Sequence, residues 1–203
     1  MANICEPHQC PCGASVEYGL SSKGGTGRSV RHHALNDLLR RALSKADILA
    51  VKEPSGLLRT DGKRRDGVTQ LPWRTGKCVI WDVTAIDTLA SSNVPATSQT
   101  PGAAAEAAAD RKTSKYAILS QSYLFVPVTV ETVGAINEAG MNFLGDLGRR
   151  ITNLHTDDHR ESAFLFKRIS TLIQRFNAQS PSWAPLPPQP PRKTFSRSSI
   201  FRF

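Results

Sequence analysis

The chain has 203 residues, with 26 Lys and Arg against 17 Asp and Glu, for a formal charge of +9 and a sequence pI near 9.8. That length suits one domain with appendages, and a hydrophobic fraction of 39% is low for a globular chain but above that of a wholly disordered one. No stretch approaches the ~20 apolar residues of a membrane span, which excludes a transmembrane protein and a membrane partner. The first residues lack the charged and apolar regions of a secretory leader. Four cysteines, three of them within Cys5–Cys12, are too few for a disulfide scaffold, so the expected setting is intracellular and reducing.

Residues 1–29 are rich in Cys, Pro, Gly and Ser without a sustained period and read as a loop-rich, Cys-bearing segment. Residues 30–46 place Ala34, Leu35, Leu38, Leu39, Ala42 and Leu43 at helical spacing, so a helix with one apolar face is expected. The short β-branched run 48–54 is stopped by Pro54 and reads as a strand. In the stretch that follows, CVIWDVTAI (78–86) is the clearest strand of the chain. Alanine predominates in 103–120, a helix by propensity, with Gly102 just before it. A further strand is expected at 122–131, and helices at 142–154 and 161–178. The order of helix, three strands, helix, strand and helices describes one mixed α/β domain over 30–178. Residues 179–203 hold six of the 13 prolines and read as a disordered, Pro-rich basic tail. Its PPQPP run suits a polyproline-reading domain, or it is an arbitrary extension. The tail also holds Arg192, Lys193, Arg197 and Arg202 and no acid, so four of the nine net charges belong to it. The remainder is mildly basic, which suits a nucleic-acid partner without requiring one.

The informative stretch runs from Lys63-Arg64-Arg65-Asp66-Gly67 to Trp81-Asp82-Val83-Thr84. A hairpin centred near Arg74 sets Asp66 opposite Asp82, and directly opposed residues share a face with Cβ atoms about 4.5–5.5 Å apart. Two carboxylates at that distance repel unless something neutralises them. A divalent cation does so, and Mg²⁺ takes one or two carboxylates together with water and phosphate oxygens. Asp82 also interrupts an apolar strand, where an unpaired charge is expensive. The alternative is a structural ion pair between Asp82 and Lys63, Arg64 or Arg65. Glu53, at the end of the preceding strand, offers a third oxygen ligand or is a surface residue before a proline turn. Lys112 and Lys115, three apart on the second helix with Tyr116 beside them, share a face. A lysine there offsets charge developing on a phosphate, unless both are simply solvated.

An acid at a strand end (Glu53), Asp66 in a basic turn, Asp82 in an apolar strand and then a lysine, on an α-β-β-β-α-β layout, resembles the PD-(D/E)XK restriction-endonuclease-like nucleases. The blocks RHHALNDLLRRAL, EPSGLLRTDGKRRDG, WDVTAIDTLA, KTSKYAILS and FVPVTVETVG are similar, in this order over roughly residues 10–178, to the restriction-enzyme-like endonuclease region of non-LTR retrotransposons. In those elements the region lies downstream of a reverse transcriptase. The resemblance implies Mg²⁺- or Mn²⁺-dependent cleavage of DNA in the nucleus. It implies Asp66, Asp82 and Glu53 as metal-binding and catalytic acids and Lys115 as the lysine displaced onto a helix, with Thr84 where the signature places Lys. Lys63, Arg64, Arg65 and Lys112 are the expected nucleic-acid contacts, and Arg31-His32 match an Arg-His pair near the first helix. Two positions depart from the pattern. Arg65 stands where the family has proline before the first Asp. In the upstream zinc knuckle, Cys10 and Cys12 fit the first ligand pair, but Tyr18 and Ser22 occupy the places of His and Cys, leaving Cys5 and His8 as tightly spaced substitutes for Zn²⁺.

Three functions follow from this reading: a DNA endonuclease, a catalytically inactive nucleic-acid-binding module, and a transposon remnant without a role. A small-molecule substrate is not expected. Cys78 lies in an apolar strand with no His base nearby in sequence, and Gly24, Gly25 and Gly27 lack both the preceding strand and the Gly-Lys-Ser/Thr of a phosphate loop.

Overall fold

A computed structural model describes residues 8–9, 15–16, 26–54, 65–155 and 160–178. Two short strands, β1 (His8–Gln9) and β2 (Ser15–Val16), pair antiparallel with His8 opposite Val16. They fall in the segment expected to be loop. Then come α1 (Thr26–Lys45), β3 (Ala50–Lys52), β4 (Gly67–Thr69) and β5 (Cys78–Ile86). A four-residue helix α2 (Val94–Thr97), the helix α3 (Ala103–Lys115) and a 3₁₀ turn (Ala117–Gln121) lead to β6 (Tyr123–Glu131), and α4 (Glu138–His155) and α5 (Glu161–Ala178) close the chain. The result is an α/β fold around a four-stranded mixed sheet in the order β3-β4-β5-β6. The first three strands are antiparallel, while β6 returns parallel to β5 after the α3 crossover. Parallel neighbours need such a crossover, whereas β3, β4 and β5 need only turns.

Most elements match the sequence reading, with differences at their ends. Helix α1 begins at Thr26 and so crosses the expected boundary at residue 29. Helix α4 begins at Glu138, not 142. The alanine-rich helix ends at Lys115, where the chain tightens into the 3₁₀ turn before β6. The tail 179–203 and residues 55–64 lie outside the described residues.

Alternation along β5 sorts its side chains between two faces. Val79, Trp81 and Val83 join Leu35, Leu39 and Leu43 of α1, Leu144 and Leu147 of α4, and Ile169 and Ile173 of α5 in one core. Ile80 is buried outside that cluster, on the face that also carries Asp82. There α3 lies, its Ala104, Ala105, Ala108 and Ala109 buried, so that a stripe of small residues lets the helix approach the sheet closely.

The β4–β5 connection sets the register. Thr75 and Gly76 both have positive φ, +50° and +73°, and Lys77 N–H donates to Arg74 O at 2.9 Å, a tight two-residue turn of the kind that suits the twist of a hairpin. A regular hairpin on that turn would set Asp66 opposite Ala85. The ladder instead pairs Gly67 with Trp81 and Val68 with Ile80. Residues 70–72 leave the ladder: Gln70 N–H turns back to Leu49 O of the β3 side, and Thr69 accepts from Val79 N–H through its hydroxyl. That three-residue excursion shifts the register by an odd number and so exchanges faces, carrying Asp66 to Asp82. The next position, Gly67, has to be glycine, because a Cβ there would fall 2.0 Å from the buried Trp81 ring.

Candidate metal centre

Four elements converge where β4 begins. Trp81 Nε1–H donates to Asn36 Oδ1 of α1 at 2.8 Å, and Asn36 Nδ2 donates to Asp66 O at 3.1 Å, so the core tryptophan ties α1 to the backbone of Asp66. One turn earlier on α1, His32 places Nε2 3.0 Å from Asp66 Oδ2. The same oxygen accepts Val83 N–H at 2.5 Å, which pins the carboxylate against β5 beside Asp82. From α3, Lys112 Nζ lies 3.0 Å from Asp82 Oδ1 and 3.5 Å from Val83 O.

One ligand atom from each of His32, Asp66 and Asp82 lies within 4.8 Å of the others, and among the described residues this is the group of three or more able to hold a metal ion. An octahedral ion with bonds of about 2.1 Å holds neighbouring ligand atoms about 3 Å apart and opposite ones about 4.2 Å apart. Small side-chain rotations therefore close this set onto one ion, and the donor set fits: two hard carboxylates and an imidazole that takes borderline divalent metals.

The electrostatics carry the mark of two acids in one place. Burial pushes the Asp66 carboxyl up, but the hydrogen bond and charge of His32, with the Val83 N–H, outweigh it and hold Asp66 below the ordinary carboxylate range. Asp82 is raised: burial acts first, Lys112 pulls it back, and neighbouring Asp66 pushes it up again. His32 is raised by its hydrogen bond to Asp66 against the opposing effect of burial, with further support from the negative charges of Asp66 and Asp82. Asp66 is thus favoured in its charged form and Asp82 disfavoured, the asymmetry expected of two carboxylates sharing one buried place.

Asp66 and Asp82 are brought together as the sequence led one to expect. Glu53 is not. It sits at φ +49° just past β3, its side chain is exposed, and its link to the site is a backbone N–H donated to Asp66 O at 3.1 Å. The third group that could hold a metal ion with the two acids is His32 instead. Among the described residues the ion pair with Asp82 comes from Lys112, not from Arg65 and not from Lys115, which is exposed at the last helical position. Arg65 is buried and lays its guanidinium on the Tyr116 ring, 3.7 Å from the centroid. Lys63, Arg64, Cys5, Cys10 and Cys12 lie outside the described residues; His8 is placed on β1 by its backbone only. His32 has a signal in the sequence, since it stands seven residues before Leu39 on the stripe that faces the sheet.

No helix among the described residues is long and apolar enough to cross a membrane. No family model and no curated protein matches the chain.

Proposed function

We propose that the chain is a metal-dependent DNA endonuclease domain of retrotransposon origin, with a restriction-endonuclease-like core, acting in the nucleus. One observation carries this reading: two buried carboxylates and an imidazole within 4.8 Å of one another, flanked by a lysine 3.0 Å from one acid. Asp66, Asp82 and His32 would hold a divalent ion, which supplies a polarised phosphate oxygen and a water of lowered pKa. Asp66 is fixed by its hydrogen bonds to Val83 and His32, so its geometry is set before any ligand arrives. Lys112 brings a positive charge to the same point, where phosphodiester cleavage accumulates negative charge on oxygen. The imidazole moves the expected metal preference from Mg²⁺ toward Mn²⁺, which accepts both donor types.

A second reading, an inactive DNA-binding module, draws on a specific feature: His32 pairs with Asp66 and Lys112 with Asp82, a network already balanced in charge. Nicking of supercoiled plasmid separates the two. The endonuclease requires nicking with Mn²⁺ or Mg²⁺, none in chelator, and none with Asp82→Ala. Plasmid binding without nicking selects the module, and nicking by Asp82→Ala equal to that of the parent chain removes the carboxylate pair from the reaction.

A further inference from the structure

Arg65 is the least settled charged residue next to this centre. It is 6% exposed, and its Nε and Nη1 atoms are buried without a hydrogen-bond partner among the described residues. Buried polar atoms are nearly always paired, and a planar guanidinium with open donors presents the fork that matches two phosphate oxygens. The group is also held still. Its plane lies over Tyr116, which is itself buried and braced edge-on by Phe125 at 4.6 Å between ring centroids. Tyr116 follows Lys112 by four residues, one turn or about 5.4 Å along α3. Arg65 immediately precedes Asp66 in the chain. The guanidinium of the residue next to Asp66 in sequence therefore lies over a residue one turn beyond Lys112, and no carboxylate among the described residues pairs with it.

We propose that Arg65 is a phosphate-binding residue, a preorganised fork on the Tyr116 platform that takes a backbone phosphate of the DNA strand bound at the Asp66–Asp82 centre. This rests on the endonuclease reading for the identity of the strand. The chemistry recognised is a phosphate oxyanion, which free phosphate shares. Preorganisation is what Tyr116 provides, since a side chain already immobilised loses little freedom when the anion arrives.

The test is binding without cleavage, with the full chain in chelator and a short DNA duplex titrated across a range of salt. Each phosphate contact contributes about 0.9 to the slope of log affinity against log salt. Arg65→Met is expected to bind about tenfold more weakly and to lose about one such contact from the slope. Arg65→Lys, which keeps the charge and loses the fork, should recover the slope but not the affinity. If Arg65→Met fails to fold, Arg65→Lys decides alone: affinity equal to that of the parent chain overturns the fork. Unchanged affinity and slope in folded Arg65→Met show a cation buried for packing and overturn the proposal, even if nicking is intact. Inorganic phosphate that raises the melting temperature through Arg65 while the duplex slope stays unchanged assigns a free-phosphate site and overturns the commitment to DNA. A lost slope in Arg65→Met from a chain that never nicks removes the cleavage reading and leaves this one standing.

Discussion

Two adjacent strands each bury acid, in opposite ways. Glu131, at the end of β6, is fully buried, and its Oε1 accepts Ala104 and Ala105 N–H at 3.0 and 3.2 Å. Its other oxygen accepts the Thr88 hydroxyl at 3.3 Å. Helix α3 follows Gly102, which has no side chain to cap it, so the cap comes from the neighbouring strand and meets the positive end of the helix dipole. Asp82, in the middle of β5, has Lys112 from the other end of the same helix, but it also has Asp66 against it. One acid is answered on every side, and the other is set against a second negative charge. Burial of a carboxylate is therefore not in itself a sign of function. A like-charged neighbour that the fold takes trouble to hold in place is the sign, and α3 serves both acids, anchored at one end by Glu131 and offering Lys112 near the other.

Substitution should separate these roles. Asp82→Asn removes the charge repulsion along with the metal ligand, so nicking should fall about a thousandfold, the several kcal/mol that a lost metal site represents. Without metal at neutral pH, its melting temperature should hold or rise, because the raised Asp82 carboxyl opposes folding when ionised. Glu131→Leu should do the reverse. Two buried N–H groups lose their acceptor at about 1–3 kcal/mol each, which at ~2–4 °C per kcal/mol lowers the melting temperature on the order of 10 °C. Nicking should fall with the folded fraction and no further. Calorimetry beside plasmid nicking reads both, and equal destabilisation by the two variants would make the Asp66–Asp82 pair structural.

The two lysines of α3 sharpen the contrast on a single helix. Lys112→Met should lower nicking about a hundredfold, within the range for loss of one positioned positive group, with the Mn²⁺-induced rise in melting temperature preserved. Lys115→Met should stay within a few-fold of the parent chain, since Asp82 takes its cation from the position one turn nearer Glu131. The opposite ranking would return the role to Lys115 and mean that the helix turns when substrate binds.

Much of this was legible in the residues, some of it for the wrong reason. The strand at 78–86 and the helix at 161–178 announce themselves through β-branched runs and apolar spacing, and both have those bounds in the structure. The facing of Asp66 and Asp82 followed from a hairpin centred near Arg74. The turn is centred between Thr75 and Gly76, and the register is restored by Gln70, Leu71 and Pro72 leaving the ladder. No local rule announces that excursion, because it depends on Gln70 pairing back to Leu49 across the sheet. Glu53 looked like a ligand because it is acidic and close in sequence. His32 was passed over because it is distant, although the distance in space is set by Asn36, which links its helix to both Trp81 and Asp66. Periodicity reads the face of a helix well; it does not say what that face will meet.

The smallest expected effect is in pH, and the difference between the parent chain and His32→Gln isolates the histidine. A histidine whose folded value is raised contributes stability that is complete below its unfolded value of 6.5 and is lost as pH climbs through the folded value. Asp66 behaves in the opposite sense: its lowered carboxyl stabilises above 3.8 and loses that contribution as pH falls through the folded value below it. Asp82, being raised, favours folding below 3.8 and loses that contribution as pH climbs through its folded value, a decline of the same sign as the histidine's, which His32→Gln leaves in place. Denaturant unfolding in chelator should show stability falling between mildly acidic and alkaline pH by on the order of 0.5 kcal/mol, the size of a partly exposed ion pair. His32→Gln should remove the histidine's share of that fall. With Mn²⁺ present the slope should change sign in the parent chain, because the metal competes with the proton for Nε2 and gains as the imidazole gives it up. The same downward slope with and without Mn²⁺ would remove His32 from the ligand set and leave two carboxylates to hold the ion.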